Sequence, residues 1–258
     1  MNNTIVKVHK IRKEFISEKK ENKVVLSDVN FVINKGETFG LAGMSASGKS
    51  VIGRIILNLI KPTSGEVFYE GQSITSLKKN DMDSIRKYMQ IVFQNPLSSL
   101  NPRRTASASL ELPLITFKYG NKKQRQDRIL ELLNLVGLSS RHAEYYPHEF
   151  SGGQCQRLGI ARALASEPNF IFLDEPVSAL DVSIQAQILN LLQDLQEKLK
   201  LTYLFVANSL NVLHHISNRI AILDHGRIVE IQKTSNLFEK PKEEVTKNLL
   251  GAMLSFYQ

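Results

Sequence analysis

The fold is decided by the sequence Gly43-Met44-Ser45-Ala46-Ser47-Gly48-Lys49-Ser50, which fits the phosphate-binding loop pattern G-x-x-x-x-G-K-[ST]. In this pattern glycines let backbone N–H groups turn inward around phosphate oxygens, and the helix that follows directs its positive dipole end at them. We expect Lys49 to reach the β- and γ-phosphates of a nucleotide, and the Ser50 hydroxyl to coordinate Mg²⁺. The sequence also predicts the buried strand before the loop, over 38–42, and an apolar helix after it, over 49–60.

Strand and helix signals alternate outside this loop. Residues 4–8 and 24–33 predict an antiparallel opening, and residues 66–69 with Glu70-Gly71 predict a hairpin. A further strand is predicted at 169–173, and the last core strands are predicted at 203–207 and 219–223. Strands that alternate with helices favour a largely parallel sheet of the α/β class.

The middle of the chain, about 96–165, is predicted to be mainly helical and to form a subdomain inserted in one folded unit, 1–258. A helix over 124–136 is expected to end at Gly137, which suits a helix C-terminus. A second, long amphipathic helix is predicted from apolar residues at helical spacing, namely Ile184, Ile188, Leu191, Leu195 and Leu199.

Composition excludes several classes of protein. Apolar residues make up 42% of the chain, yet no run approaches the roughly 18 consecutive apolar residues of a membrane span, and the N-terminus does not resemble a secretory signal. The single cysteine, Cys155, excludes an internal disulfide and a multi-cysteine metal site. A net charge of +8 is compatible with phosphate ligands, nucleic acid or anionic lipid, and equally with a solvated basic surface.

Two further segments carry chemistry. The strand FIFLDE ends in Asp174, which suits a Mg²⁺ contact, and Glu175, which could polarise an attacking water. The segment Phe150-Ser151-Gly152-Gly153-Gln154 precedes a helix predicted over 154–164 and offers a second cradle of N–H groups. Since one loop satisfies one ATP, the second cradle suggests a partner's nucleotide; a simple Ser/Gly helix cap is the alternative.

The chain resembles the ATP-binding subunits of ABC transporters over essentially its whole length. The resemblance rests on the phosphate-binding loop, on Gln94 within IVFQNP, on FSGGQ, on FIFLDEP and on the loop Ser178-Ala179-Leu180-Asp181. The stretches IVFQNPLSSLNPR and YPHEFSGGQCQR and the tail FEKPKEEVTKNLL are similar to the oligopeptide, dipeptide and nickel importer branch, although Val245 replaces a usual tyrosine.

The resemblance implies a P-loop, RecA-like core with an antiparallel β subdomain and the inserted helical subdomain. Two such domains sandwich two ATP molecules between one chain's loop and the other's FSGGQ. The resemblance further implies that Phe15 stacks on adenine and that Asp181 bridges the two sites. It also implies that Gln94 contacts Mg²⁺ and senses the membrane subunits. The residues implied to face the partner's ATP are Ser151, Gly152, Gly153 and Gln154.

Departures from the family pattern bear on activity. Met44 and Ala46 stand where the branch usually has Glu and Gly, and Val51 where Thr often contacts the α-phosphate. A Cβ restricts Ala46 in mirror-region backbone conformations, so affinity for ATP is expected to fall while the cradle survives. After the strand at 203–207, Asn208 and Ser209 replace the family's His-Asp pair, and Asn208 is expected to slow hydrolysis.

These features predict an ATPase at the cytoplasmic face of the membrane that powers uptake of peptides or a related small solute. Its expected ligands are ATP and Mg²⁺. Its expected partners are two membrane-spanning permease subunits, a second ATPase (itself or a paralogue) and, indirectly, a solute-binding protein, but not nucleic acid. One alternative is a clamp that binds ATP and leaves turnover to a paralogue; another is nickel or metal-chelate uptake. A DNA-repair or chromosome-organising ATPase is disfavoured, because the region between the loop and FSGGQ holds no long coiled coil or zinc module.

Overall fold

A computed structural model describes residues 3–16 and 22–254. The chain divides into two compact units, which we call unit 1 (Met1–Asp83 and Leu201–Gln258) and unit 2 (Ser84–Lys200). Unit 2 is a single continuous segment, whereas unit 1 is made of the two flanking segments. None of the helices in these two ranges combines the length and the hydropathy of a membrane-spanning helix.

Unit 1 contains an antiparallel sheet of four strands, namely β1 (Thr4–Ile16), β2 (Asn22–Asn34), β4 (Ser64–Tyr69) and β5 (Gln72–Ser73). Their order in the sheet is β2-β1-β4-β5. The antiparallel opening and the hairpin are therefore confirmed. β1 is much longer than predicted. Its pairing with β2 continues past a register shift around Lys10, whose φ is +49°. The amide of Lys10 donates to Asn30 Oδ1 at 2.8 Å, so paired backbone continues where the apolar alternation breaks.

A second group of strands in unit 1 carries the phosphate-binding loop. β3 (Thr38–Ala42) pairs in parallel with both β8 (Thr202–Val206) and β9 (Arg219–Asp224), which confirms the parallel core. β10 (Arg227–Lys233) pairs antiparallel with β9 and was missed, because β9 was expected to be the last core strand. Its one fully buried residue is Glu230, so it lacks the apolar alternation of a strand.

The helices that belong wholly to unit 1 are α1 (Lys49–Ile56), α8 (Leu210–Ile216), α9 (Thr234–Glu239) and α10 (Glu244–Leu254); α2 (Lys79–Arg86) contains the boundary between the units. The prediction that α1 reaches Ile60 was wrong. Asn58 adopts a left-handed conformation with φ of +52°. The amide of Leu59 then donates to Arg54 O at 2.9 Å, a bond that closes the helix end.

Unit 2 pairs β6 (Met89–Val92) in parallel with β7 (Phe170–Asp174), all of whose residues are buried. β6 was not predicted. Between 93 and 169 the structure has only helices and loops. Its helices are α3 (Pro96–Ser99), α4 (Ala106–Thr116), α5 (Lys122–Leu135), α6 (Gly152–Leu164) and the short 3-10 helices Ser140–Glu144 and Pro147–Glu149; α7 (Val182–Leu199) follows β7.

The two amphipathic helices of unit 2 differ in how well their sequences predict them. α5 ends as expected, with Gly137 at φ of +73°. In α7 the buried residues are Ile188, Leu189, Leu192 and Leu195. Of the five residues predicted for its apolar face, Ile188 and Leu195 are buried, Ile184 and Leu191 are half-buried, and Leu199 is 41% exposed. α7 has leucines on two adjacent stripes, both spaced for a helix, and spacing alone does not choose between them.

Candidate nucleotide-binding site

The phosphate-binding loop joins the fully buried strand β3 to α1, the context that its mechanism requires. Both glycines of the pattern have positive φ, +153° at Gly43 and +105° at Gly48. A Cβ at Gly43 would lie 2.2 Å from Leu223 O, and one at Gly48 would lie 2.8 Å from Leu26 Cδ2. Glycine is therefore required at these positions by packing against β9 and β2, before any phosphate is considered.

Lys49 ties the end of the loop to its beginning. Its Nζ donates to Gly43 O at 2.8 Å and to Met44 O at 2.9 Å, and the residue is only 4% exposed. The amide of Ser47 also donates to Met44 O at 3.2 Å. The loop thus keeps a closed shape through its own lysine, while the Met44 side chain is 63% exposed.

The loop retains features that fit an anionic ligand. N–H groups at the start of a helix point back along its axis, here toward the loop. Ser47 Oγ is buried and has no hydrogen-bond partner among the described residues, and a phosphate oxygen would satisfy it. Ala46 has φ of +63°, a left-handed conformation that costs an L-residue about 1–2 kcal/mol. Ser45 and Ala46 are exposed, whereas Val51 is half-buried on α1.

Asn208 lies at the same sheet edge as the loop. In the parallel pair of β3 and β8, Leu41 is opposite Val206, so Gly43 and Asn208 each follow that pair by two residues. Asn208 and Ser209 are exposed, and Ser209 precedes α8 without a side-chain capping bond. His214 is not a substitute for the missing histidine, because its ring centroid packs 4.2 Å from that of Phe238 in α9.

Phe15, predicted to stack on adenine, lies near the end of β1 in unit 1 and is 41% exposed. Lys13 Nζ lies 4.8 Å from the centroid of the Phe15 ring, within the range of a cation–π contact. The aromatic side chain is therefore accessible to a ligand. Its stacking role remains a prediction.

The acidic residues and Gln94 meet in unit 2. Val92 of β6 is opposite Leu173 of β7, so Gln94 and Glu175 each follow that pair by two residues. Gln94 Nε2 donates to Glu175 Oε2 at 3.2 Å. Asp174 ends β7 and is 5% exposed, while Glu175 is left-handed with φ of +49°.

Ser178 belongs to the same cluster, although its sequence context did not predict a role for it. Gln94 Nε2 donates to Ser178 Oγ at 3.1 Å, in addition to its bond with Glu175. The serine stands at the start of the quoted segment Ser178-Ala179-Leu180-Asp181. That position was the only signal for it in the sequence.

The segment FSGGQ begins α6, two residues earlier than predicted. Ser151 Oγ accepts from Gln154 N at 3.3 Å, and Gln154 Oε1 accepts from Ser151 N at 3.0 Å, which together form a capping box. A Cβ at Gly153 would lie 2.6 Å from Ile184 Cγ2, so this glycine permits close packing of α6 against α7. The Ser/Gly cap is thus realised, and contact with a partner's nucleotide remains a prediction.

Asp181 caps α7, since its Oδ1 accepts from Ile184 N at 3.0 Å. The proposed metal ligands Ser50, Gln94 and Asp174 offer oxygen atoms, which is the donor type that Mg²⁺ prefers. No group of three or more His, Cys, Asp or Glu side chains suited to a metal exists in the parts of the chain that are described.

The chain is similar to known proteins along nearly its whole length. A family model described as ABC transporter matches residues 26–178. The oligopeptide transport ATP-binding protein OppF of Bacillus subtilis (strain 168) is 44% identical over 255 residues, covering 98% of this chain and 83% of the relative. AppF of the same strain, also an oligopeptide transport ATP-binding protein, is 43% identical over 257 residues, covering 97% of this chain and 78% of the relative.

Solved structures are similar over most of the chain. The ATP-binding cassette MJ0796, a dimer bound to ADP and Pi in a post-hydrolysis state, has a TM-score of 0.80 and 36% identity, covering 89% of this chain and 99% of that one. The cbiO1 protein from Clostridium perfringens has a TM-score of 0.82 but 21% identity, covering 99% of this chain and 98% of that one. The second likeness supports the fold alone.

Proposed function

Since the chain belongs to the ABC transporter family, we propose that it is the ATP-binding and ATP-hydrolysing subunit of an importer for oligopeptides, dipeptides or a related small solute. The names of OppF and AppF support the peptide substrate, because these relatives are similar along nearly the whole chain. The alternative of nickel or metal-chelate uptake is distinguished by transport. A strain that lacks this chain should lose uptake of labelled peptides; loss of nickel uptake instead would favour the alternative.

We assign nucleotide binding to the loop of unit 1. The β- and γ-phosphates bind the backbone N–H groups of the loop and the Lys49 ammonium, and Phe15 stacks on the adenine ring. The oxygen atoms assigned to Mg²⁺ belong to Ser50, Gln94 and Asp174. When bound, Mg²⁺ neutralises charge on the phosphate oxygens. Glu175 accepts a proton from the attacking water as general base.

The working state is a dimer in which Ser151, Gly153 and Gln154 face the nucleotide of the partner and Asp181 links the two sites. The partner is a second copy or a paralogue, and the dimeric cassette MJ0796 supports such an arrangement. Two permease subunits hold the dimer at the cytoplasmic face of the membrane, and a solute-binding protein delivers the cargo to them.

The observation that carries this proposal is the closed loop between β3 and α1, held by Lys49 Nζ at 2.8 Å from Gly43 O. Lys49→Ala should remove charge-assisted contacts to phosphate, each worth about 1.5–3 kcal/mol. Calorimetry should record MgATP affinity at least about tenfold weaker, since a factor of ten corresponds to about 1.4 kcal/mol. The exposed Lys78→Ala is the control and should bind as the native chain does. Native affinity in a folded Lys49→Ala variant would refute the assignment.

Asn208 favours slow hydrolysis at this chain's own loop. The parallel register carries Asn208 to the edge where the loop begins, and asparagine is shorter than histidine, uncharged and unable to take a proton. Loss of a well-placed donor to developing charge typically costs about 10²–10³ in rate, part of which asparagine retains. ATP binding should be nearly normal, as expected for a clamp that leaves turnover to a paralogue.

The variant Asn208→His distinguishes a subunit that hydrolyses ATP efficiently from a clamp that binds ATP and leaves turnover to a paralogue. Single-turnover hydrolysis should become at least about tenfold faster, while ATP affinity stays within a few-fold. Ser209→Asp alone is the matched control, because it restores the other half of the usual pair without the imidazole. Brisk hydrolysis by the native chain, unchanged by the histidine, would refute a degenerate site.

A further inference from the structure

Ser178 joins three groups at the proposed catalytic centre of unit 2. Its Oγ donates to Glu175 O at 3.1 Å, and its own amide donates to the same oxygen at 3.3 Å. The hydroxyl also accepts from Gln94 Nε2 at 3.1 Å. The same nitrogen donates to Glu175 Oε2 at 3.2 Å, so a ring of hydrogen bonds links the side chain of Gln94 to both the backbone and the side chain of Glu175.

The hydrogen-bonding capacity of these groups makes the arrangement specific. A side-chain amide nitrogen carries two hydrogens, and Gln94 uses one for Glu175 and the other for Ser178. A serine hydroxyl has one hydrogen, which goes to Glu175 O, and lone pairs that accept from Gln94. This orientation leaves the Gln94 amide oxygen available for a ligand. Alanine at 178 would remove both hydroxyl bonds and leave the amide held by Glu175 alone.

The backbone of Glu175 also depends on Ser178. Glu175 is left-handed, a conformation that L-residues keep only where surrounding contacts impose it. Its carbonyl accepts two hydrogen bonds, both from Ser178. Ser178 and Gln94 are exposed, so water would compete for these bonds if the hydroxyl were absent.

We propose that Ser178 is a positioning residue for ATP hydrolysis, whose hydroxyl holds the Gln94 amide and the Glu175 backbone in register. The bond from Gln94 to the Glu175 carboxylate weakens when that carboxylate accepts a proton from water, because a neutral carboxyl group is a poorer acceptor than a carboxylate. The bond from Gln94 to Ser178 involves no group that changes charge, so it keeps its strength and holds the amide against rotation. This inference rests on the proposed ATPase function, since it concerns the geometry of that reaction.

The kinetic test compares Ser178→Ala with Ser178→Thr, which keeps a hydroxyl, and with Ser183→Ala, an exposed serine of α7. In single-turnover hydrolysis Ser178→Ala should be about tenfold slower with ATP affinity within twofold, because positioning is lost and binding is not. Ser178→Thr should recover to within about threefold, and Ser183→Ala should match the native chain. Ser178→Ala should add no further loss to Gln94→Ala, because both substitutions break one ring.

Hydrogen–deuterium exchange without nucleotide gives a second measurement. Peptides that cover 175–180 should exchange at least about threefold faster in Ser178→Ala and return to native rates in Ser178→Thr. An active native chain with unchanged rate or unchanged exchange in Ser178→Ala overturns the inference and leaves the ATPase proposal intact. A rate loss that threonine does not recover, or that adds fully to Gln94→Ala, overturns it as well. A native chain that binds but never hydrolyses ATP refutes the ATPase proposal and this role with it.

Discussion

Glu230 gives the sharpest quantitative prediction for the fold, because a buried carboxylate of β10 anchors the start of α10. The residue is 6% exposed. Its Oε1 accepts from Lys242 N at 3.0 Å, and its Oε2 accepts from Glu243 N at 3.2 Å and from Thr246 Oγ1 at 2.5 Å. Gln232 Nε2 also donates to Oε1. α10 in turn contacts α8, the helix that follows Asn208.

The change Glu230→Gln keeps the shape of the side chain and removes its charge. When the NH₂ group takes the place of Oε2, it faces the amide N–H of Glu243, and that donor loses its acceptor. A buried unpaired donor costs about 1–3 kcal/mol, and hydrogen bonds to a charged acceptor exceed neutral ones by about 1 kcal/mol each. The variant avoids burying a charge, which offsets part of this loss. We expect a net destabilisation of about 2–3 kcal/mol, or about 4–12 °C in Tm for a chain of this size.

The pH dependence follows from the direction of the pKa shift. Burial raises the pKa of the Glu230 carboxyl, but hydrogen bonds from Thr246, Lys242, Gln232 and Glu243 outweigh it, and the pKa in the folded protein lies below its ordinary value. A depressed folded pKa contributes stability that is fully present above the unfolded value of about 4.3 and lost as the pH falls through the folded value. The glutamine side chain does not titrate, so the variant lacks this contribution to the pH dependence of stability.

The assay is urea or thermal unfolding of the native chain and of Glu230→Gln between pH 3 and pH 8. The difference in unfolding free energy should be constant above about pH 5.5 and shrink as the pH falls below about 4.3. Glu239→Gln removes the same charge from an exposed position of α9 and should stay within about 0.5 kcal/mol of the native chain. A difference that persists undiminished at pH 3, or a control that loses as much, would refute the reasoning.

Two further predictions concern FSGGQ. Gly153→Ala should lower stability by about 1–3 kcal/mol, because its Cβ would lie 2.6 Å from Ile184 Cγ2. Gly152→Ala has no contact closer than 3.5 Å and should change thermal unfolding little, so equal shifts would contradict the packing argument. With hydrolysis blocked by Glu175→Gln, light scattering should detect an ATP-dependent dimer, with itself or with the paralogue. Adding Ser151→Arg should abolish it by filling the cradle for the partner's phosphate, and an unaffected dimer would refute the sandwich.

The motifs could be predicted because each one demands residue types that few other structures need. The loop between β3 and α1 needs glycine where a Cβ would strike Leu223 O or Leu26, and its Gly43 and Gly48 are visible as letters. The antiparallel opening and the parallel core could be predicted for a similar reason, since β-branched runs and buried apolar runs differ in pattern.

The elements that the sequence did not reveal lack such a pattern. β10 buries a carboxylate instead of an apolar face, and three of the four partners of that carboxylate lie more than ten residues later, at Lys242, Glu243 and Thr246. The end of α1 depends on a left-handed Asn58, which asparagine permits but does not require. Ser178 is a small polar residue whose role arises only from the pairing of β6 with β7, and β6 itself was not predicted.

Two residues that differ from the family pattern, Ala46 in the loop and Asn208 after β8, should affect activity differently. The first changes backbone conformation and the second changes side-chain chemistry. Ala46 adopts φ of +63°, which an alanine can reach at a modest cost in free energy, so the closed loop and its lysine bonds remain. Asn208 keeps its position at the sheet edge, but no conformation gives an amide the reach or the proton affinity of an imidazole. A strained backbone can therefore accommodate Ala46, whereas no change of conformation can replace the imidazole that is missing at Asn208. We therefore expect ATP binding to survive in this chain more fully than ATP turnover.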